Sequence, residues 1–113
     1  MAAVFDHVME QGAPFEWGVT WKDNLGGTLL QSGDGAAMDI RLTKSQTGTL
    51  VLDCSSYLTV TPASALVQLS IPATITAGLS FETAYYDIEI IRSGVVIARL
   101  AQGQITLDTG VTA

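Results

Sequence analysis

The sequence predicts an all-β fold in which two antiparallel sheets pack face to face, and three observations support it. Apolar and polar residues alternate without a break from Phe15 to Trp21, as expected for a strand with one buried face. Turns that contain glycine or proline follow at short intervals along the chain. The stretch from Tyr85 to Leu100 has the pattern of a β-hairpin with Ser93-Gly94 at its turn, because glycine can adopt the positive φ that a tight hairpin requires.

The alternation places seven strands in order along the chain. Their approximate ranges are 14–21, 38–42, 50–52, 57–61, 65–71, 85–91 and 96–100. The apolar phase then changes from even positions up to Leu100 to odd positions at Ile105 and Leu107, which predicts a bulge near Gln102-Gly103 and an eighth strand on another sheet edge. Seven or eight short strands separated by turns indicate an immunoglobulin-like antiparallel β-sandwich. The Tyr85-Tyr86 pair then lies where such sandwiches have a tyrosine corner. The alternative is that the two tyrosines are an ordinary half-buried pair on a strand, which would give the same sequence pattern.

The chain divides into an N-terminal arm, residues 1–13, and a single β-sandwich domain, residues 14–113. The pattern allows a helical turn between Ala3 and Met9, but the segment is short for an isolated helix. The arm is therefore expected to lie on a neighbouring chain or to fray in solution. A long glycine-rich loop follows the first strand, at residues 22–36, and loops of this length are often functional.

Both segments carry apolar residues that have no evident partner within the sequence pattern. These residues are predicted to contact neighbouring chains, and they are Val4, Phe5, Val8, Met9, Leu25, Leu29 and Leu30. The alternative is that both segments fold back over the open ends of the same sandwich. Trp17 and Trp21 alternate in phase with the first strand and are predicted to belong to the core; the alternative is that one of them marks a partner-binding patch.

The composition argues against several kinds of partner. Five Lys and Arg residues stand against eleven Asp and Glu residues, a formal net charge of −6, so neither nucleic acid nor an anionic membrane is an expected partner. No apolar run approaches the roughly 18–20 residues of a membrane span, and the N-terminus has no basic region typical of a secretory signal. The single cysteine, Cys54, cannot form an internal disulfide, which fits folding in a reducing cytoplasm.

No convergent set of catalytic residues is found in the sequence, and the chain is predicted not to be an enzyme and to need no metal or other cofactor. One histidine, His7, and one cysteine exclude the common His and Cys metal sites. A Cys54–His7 nucleophile and base would require the arm to fold back, which nothing in the sequence supports. Asp34-Gly35 with Asp39 resembles a fragment of a calcium loop, but the full spacing is absent and solvated turn acids explain it better.

Three pieces of the sequence, in this order, resemble a known group of proteins. They are Phe15–Trp21, Met38–Leu42, and the hairpin from Tyr85 with Gly103–Leu107 and Val111-Thr112 after it. Together they resemble small bacteriophage structural proteins encoded among tail genes, and they are similar to the immunoglobulin-like N-terminal domain of baseplate upper proteins. The resemblance covers residues 14–112 in outline. The chain is expected to differ from these proteins in having no downstream fibre or receptor-binding region.

This resemblance implies a non-enzymatic virion protein, made in the cytoplasm of a host bacterium, that acts as an adaptor or attachment module in the tail, baseplate, neck or fibre region. Its partners would be other virion proteins, joined in several symmetric copies, with no cofactor and no small-molecule substrate. Two alternatives stay open: a capsid decoration protein, or a lone immunoglobulin-like module that binds carbohydrate or a host surface. An exposed Trp or Tyr in a groove would favour the second alternative.

Overall fold

Two β-sheets face each other in the computed structural model, which describes residues 3–45 and 47–110. Within these residues the strands are β1 (Ala3–Val4), β2 (His7–Glu10), β3 (Phe15–Thr20), β4 (Gly35–Arg41), β5 (Leu50–Asp53), β6 (Leu58–Thr61), β7 (Leu66–Ile71), β8 (Thr83–Arg92) and β9 (Val95–Asp108). A four-residue helix, α1 (Ala73–Thr76), connects β7 to β8, and short 3₁₀ turns lie at Ser55–Tyr57 and Pro62–Ser64. Each of the seven strands predicted between residues 14 and 100 has a counterpart among β3 to β9.

The strand order confirms the predicted immunoglobulin-like sandwich. The larger sheet has the order β1-β9-β8-β4-β5, with β2 also paired to β9, and the smaller sheet has the order β3-β7-β6. If β3 is taken as the B strand of an immunoglobulin domain, the smaller sheet corresponds to B-E-D and the larger one to G-F-C-C′, as in variable-type domains. Every strand pair is antiparallel except the pairs that β1 and β2 make with β9.

The core lies between the sheets because alternate residues of the longer strands point inward. Its most deeply buried apolar side chains are Met9, Met38, Ile40, Val67, Leu69, Ile71, Ile88, Ile90 and Ile105. Trp17 and Trp21 are partly buried and pack against this core. The period of two that predicted the strands also predicted the buried face of β4, β7 and β8. It fails at the start of β9, where Val96 has the same phase as the buried Leu100 but is 50% exposed.

The β8–β9 hairpin has the predicted turn but a different bulge. Ser93 and Gly94 have φ values of 54° and 77°, so both central residues adopt the left-handed conformation of a type I′ turn, and the prediction of a positive φ at Gly94 is confirmed. One register shift, between Ile88 and Glu89, leaves Leu100 as the extra residue of β9. A second register shift lies between Ile90 and Ile91. The predicted bulge at Gln102-Gly103 is wrong, because the apolar phase changes at the consecutive buried residues Leu100 and Ala101. Strand β9 then continues in the same sheet to Asp108.

The predicted helical turn in the arm is wrong, because the N-terminal segment forms β1 and β2 along the outer edge of β9. The segment bends at Phe5-Asp6, where it passes over Gly103, and a Cβ atom at residue 103 would overlap the Phe5 carbonyl oxygen. The turn after β2 is fixed by the buried hydroxyl of Thr76, which donates to the carbonyl oxygen of Ala13 at 2.8 Å. The described part of the arm, residues 3–13, is thus packed with the sandwich as one unit.

Candidate binding surfaces

Aromatic side chains close the sandwich on the side where β2 and β3 lie next to each other. His7 lies among the rings of Phe15, Trp17 and Tyr86, with a ring-centroid distance of 4.4 Å to Trp17. Burial lowers the pKa of His7, and the nearby carboxylate of Asp6 offsets part of that effect. The buried Nε2 atom of His7 has no hydrogen-bond partner among the described residues. Tyr86 of this cluster is buried, and Phe15 and Trp17 are half-buried and pack against the core, so the rings do not form an open aromatic surface.

Tyr86 does not form a tyrosine corner. Its hydroxyl donates to the carbonyl oxygen of Phe5 at 2.6 Å, across the sheet edge and far from its own strand in sequence. In a tyrosine corner the hydroxyl bonds a few residues upstream of the tyrosine, so the predicted role is wrong for Tyr86. The bond instead fixes the bend between β1 and β2 above Gly103.

The loop between β3 and β4 is folded on itself rather than extended. Lys22 and Thr28 form an isolated antiparallel bridge, and the carboxylate of Asp23 accepts hydrogen bonds from the backbone N–H groups of Leu25 and Gly27 at 2.8 and 2.9 Å. Leu25 lies at the tip of this miniature hairpin with 97% of its surface exposed. The exposure of Leu25 is therefore a consequence of a hydrogen-bonded turn.

A charge pair attaches the second half of the same loop to the end of β8. The guanidinium of Arg92 donates two hydrogen bonds to the carboxylate of Asp34, both 2.8 Å long, and a third to the carbonyl oxygen of Leu29 at 3.3 Å. The side chain of Asp34 is only 1% exposed. These bonds, with the backbone N–H of Gln31, lower the pKa of Asp34 to about 2. The bidentate pair brings the β3–β4 loop and the β8–β9 turn to the same end of the sandwich.

This end displays a set of exposed apolar side chains, which we call the loop end and define as Leu25, Leu29, Val95, Val96 and Ile97. The three residues of β9 lie before the point where β1 begins to pair with that strand, at Ala101. Among the described residues, the outer edge of β9 from Val95 to Leu100 therefore has no neighbouring strand. An apolar strand edge of this kind is where proteins pair with other chains, and the two register shifts of β9 limit how regular such pairing can be.

The seven residues predicted to contact neighbouring chains have different positions. Met9 and Leu30 are buried in the core, at 0% and 4% exposure, so their predicted contact with another chain is wrong. Met9 is buried because it points inward from β2, and Leu30 because it follows the miniature hairpin into the sandwich. Val4, Phe5 and Val8 are exposed along the N-terminal edge, and Leu25 and Leu29 are exposed at the loop end.

A polar groove of about 600 Å³ lies on the outer face of the larger sheet, a feature that the sequence reasoning missed. Its floor consists of the side chains that alternate with the core residues on β4, β8 and β9, among them Asp39, Tyr85, Asp87 and Arg99. Loop residues Thr43–Ser45 form one wall. The sequence does show polar residues at alternate positions of the predicted strands. That pattern is equally typical of an ordinary solvent-exposed sheet face, so it did not indicate a groove.

Cys54 does not have the environment of a nucleophile. It is fully buried, and desolvation, with smaller contributions from Asp53 and Asp39, raises the pKa of its thiol to about 12. Asp34, predicted to be a solvated turn acid, is instead buried in its pair with Arg92. Residues 3–45 and 47–110 contain no group of three His, Cys, Asp or Glu side chains placed to hold a metal ion. Within the same ranges, no helix has the length and apolar character needed to cross a membrane.

Comparisons with known proteins concern the fold only. No family model and no curated protein matches the chain. Among solved structures, the chain is similar to the Lin-41 filamin domain, at 20% identity over 91% of this chain and 84% of that chain, with a TM-score of 0.42. It is also similar to Tim-1, at 12% identity over 100% of this chain and 99% of that chain, with a TM-score of 0.48. These likenesses are distant, and the assignment of the sandwich rests on the strand order described above.

Proposed function

We propose that this chain is a non-enzymatic adaptor of a bacteriophage virion that attaches to neighbouring structural proteins through its loop end. The observation that carries the proposal is the group of exposed apolar side chains, Leu25, Leu29 and Val95–Ile97, at one end of the sandwich. Exposed apolar surface is costly to leave in water, at about 25 cal/mol per Å², and a group of exposed apolar side chains commonly marks an interaction site. The resemblance of the sequence to phage tail proteins supplies the type of assembly.

The loop end is held in place before any partner arrives. The Asp23 turn fixes Leu25, and the Arg92–Asp34 pair joins the loop to the β8–β9 hairpin. A rigid surface loses little conformational entropy on binding, so more of the burial energy is retained as affinity. Docking of this kind in several symmetric copies suits a component of a tail, baseplate, neck or fibre.

The experiment is complementation of particles that lack this chain, with incorporation measured by mass spectrometry. The double variant Leu25→Ser with Val96→Thr should reduce incorporation by about tenfold or more, equivalent to about 1.4 kcal/mol or more of lost binding. Val8→Thr is a matched control, because Val8 is similarly exposed but lies on the N-terminal edge. Wild-type incorporation of the double variant, or equal loss in the control, would contradict docking through the loop end. Electron microscopy of the particle would locate the chain in the tail or on the capsid.

A further inference from the structure

The outer face of the larger sheet is arranged as rows of polar side chains that run across the strands. Arg41 of β4, Tyr85 of β8 and Gln104 of β9 are register partners in one row, and Asp39, Asp87 and Gln102 form the next row. Glu89 and Arg99 face each other in a third row. These side chains line the groove of about 600 Å³, which is in the size range of sites that hold a small ligand.

The charges in the groove nearly cancel. Arg41 pairs with Asp39 at 2.9 Å, and Arg99 pairs with Asp87 at 3.3 Å. Lys44 lies above the ring of Tyr85 at 5.5 Å from its centroid, and Asp6 and Glu89 add two further carboxylates. A groove with four acids and three bases, largely paired with one another, offers no strong attraction to an anion or to a cation.

The groove instead offers many hydrogen-bonding groups around one aromatic ring. Carboxylates accept from hydroxyl groups, guanidinium groups donate to them, and the amides of Gln102 and Gln104 can do both. The negative face of the Tyr85 ring attracts polarised hydrogen atoms, as it now attracts the ammonium group of Lys44. Lys44 is exposed, so its side chain can leave the ring without losing a buried contact.

We propose that this groove binds a neutral oligosaccharide, with one sugar ring stacked on Tyr85 and its hydroxyl groups hydrogen-bonded to Asp39, Asp87, Arg99 and Gln104. A chain of neutral sugars fits an open, polar groove with nearly balanced charges better than a protein partner does, because the centre of a protein interface is depleted of charged residues and enriched in aromatic and other apolar ones. None of the five loop-end residues lines the groove. The groove is therefore a second site, independent of the proposed docking surface.

The test is binding to an array of neutral and acidic glycans, followed by NMR titration of isotope-labelled protein with the neutral oligosaccharides that bind. At least one neutral oligosaccharide should bind with a dissociation constant between about 1 μM and 1 mM, and the backbone signals that shift should belong to β4, β8 and β9 around Tyr85. Tyr85→Ala and Gln104→Leu should each weaken binding by about tenfold, while Tyr85→Phe keeps the ring and should retain most of it. Melting temperatures would establish that each variant is folded.

Three controls separate this site from the loop end and from a general effect on the fold. Leu25→Ser should leave the oligosaccharide affinity unchanged, and so should Thr59→Ala, since Thr59 is an exposed residue of the smaller sheet. The proposal is overturned if no neutral glycan binds at about 5 mM, if only acidic glycans bind, or if the shifted signals lie outside the groove. Unchanged affinity in folded Tyr85→Ala would also overturn it.

Discussion

The N-terminal segment and the β3–β4 loop carry the same sequence signal, isolated apolar residues without an evident partner, yet they occupy different environments. The N-terminal segment forms strands, and Met9 enters the core from β2. The loop instead folds into a hydrogen-bonded turn that holds Leu25 in solvent. An apolar residue outside the regular strands can therefore be either the edge of a core or a displayed surface, and its backbone pairing decides which.

Pairing differs between the two segments for a local reason. Val8 and Met9 alternate along an extended backbone that matches the register of Thr106 and Leu107. In the loop, Gly26 has a φ of 84° and Asp23 accepts two backbone N–H groups, so the chain reverses before it can pair with a sheet. The four predictions below test this contrast, from the largest expected effect on stability to the smallest.

Met9→Ala tests whether the N-terminal segment belongs to the core. Removal of a fully buried Met side chain should lower the free energy of unfolding by about 2–5 kcal/mol, because a cavity remains where the side chain packed. Val8→Ala, one residue earlier on the exposed face of β2, should change it by less than about 0.5 kcal/mol. Chemical denaturation measures both values, and equal effects would show that β2 is not docked as described.

Gly103→Ala tests the bend of the N-terminal segment over β9. The added methyl group would overlap the Phe5 carbonyl oxygen, so the segment or β9 must shift, at a cost of about 1–3 kcal/mol. The matched control is Gly35→Ala in β4, where a Cβ atom meets nothing within 4 Å. Hydrogen exchange should show faster exchange for the amides of β1 and β2 in the Gly103 variant only. Unchanged protection there would place the N-terminal strands elsewhere.

Most of the sandwich could be predicted from the sequence because its strands are amphipathic with a period of two. The β8–β9 turn was predictable for a different reason: Gly94 can adopt the positive φ that a tight hairpin turn requires. The pairing of β1 and β2 with β9 was not predictable, because the partners lie at opposite ends of the chain and a parallel edge pair leaves no local signal. Leu25 and Leu29 could be selected as candidates because they are apolar residues within a polar loop. The groove could not be predicted, because alternating charged residues are typical of any solvent-exposed sheet face.

The Arg92–Asp34 pair should make the loop end sensitive to acid. Asp34 has a pKa of about 2 in the folded chain and an ordinary value of 3.8, so the unfolded state binds its proton first as the pH falls. The contribution of the pair is therefore complete above about pH 5 and is lost progressively between about pH 5 and pH 1. Thermal unfolding of wild type and of Asp34→Asn should converge as the pH falls through this window. Arg92→Leu should show the same convergence, and two parallel curves would mean that the pair does not stabilise the fold.

Leu25→Ser should have the smallest effect on stability of the four variants. It tests whether the Leu25 side chain is exposed to solvent or packs within its own chain. Leu25 is 97% exposed and its backbone N–H, rather than its side chain, is bonded to Asp23, so the free energy of unfolding should change by less than about 0.5 kcal/mol. Leu30, five residues later in the same loop, is buried, and Leu30→Ala should cost about 2–5 kcal/mol. The two leucines of this loop thus differ in role: Leu30 stabilises the core, whereas Leu25 is exposed to solvent. A loss of several kcal/mol in Leu25→Ser, measured by chemical denaturation of the monomer, would show that Leu25 packs within its own chain and would remove it from the loop end.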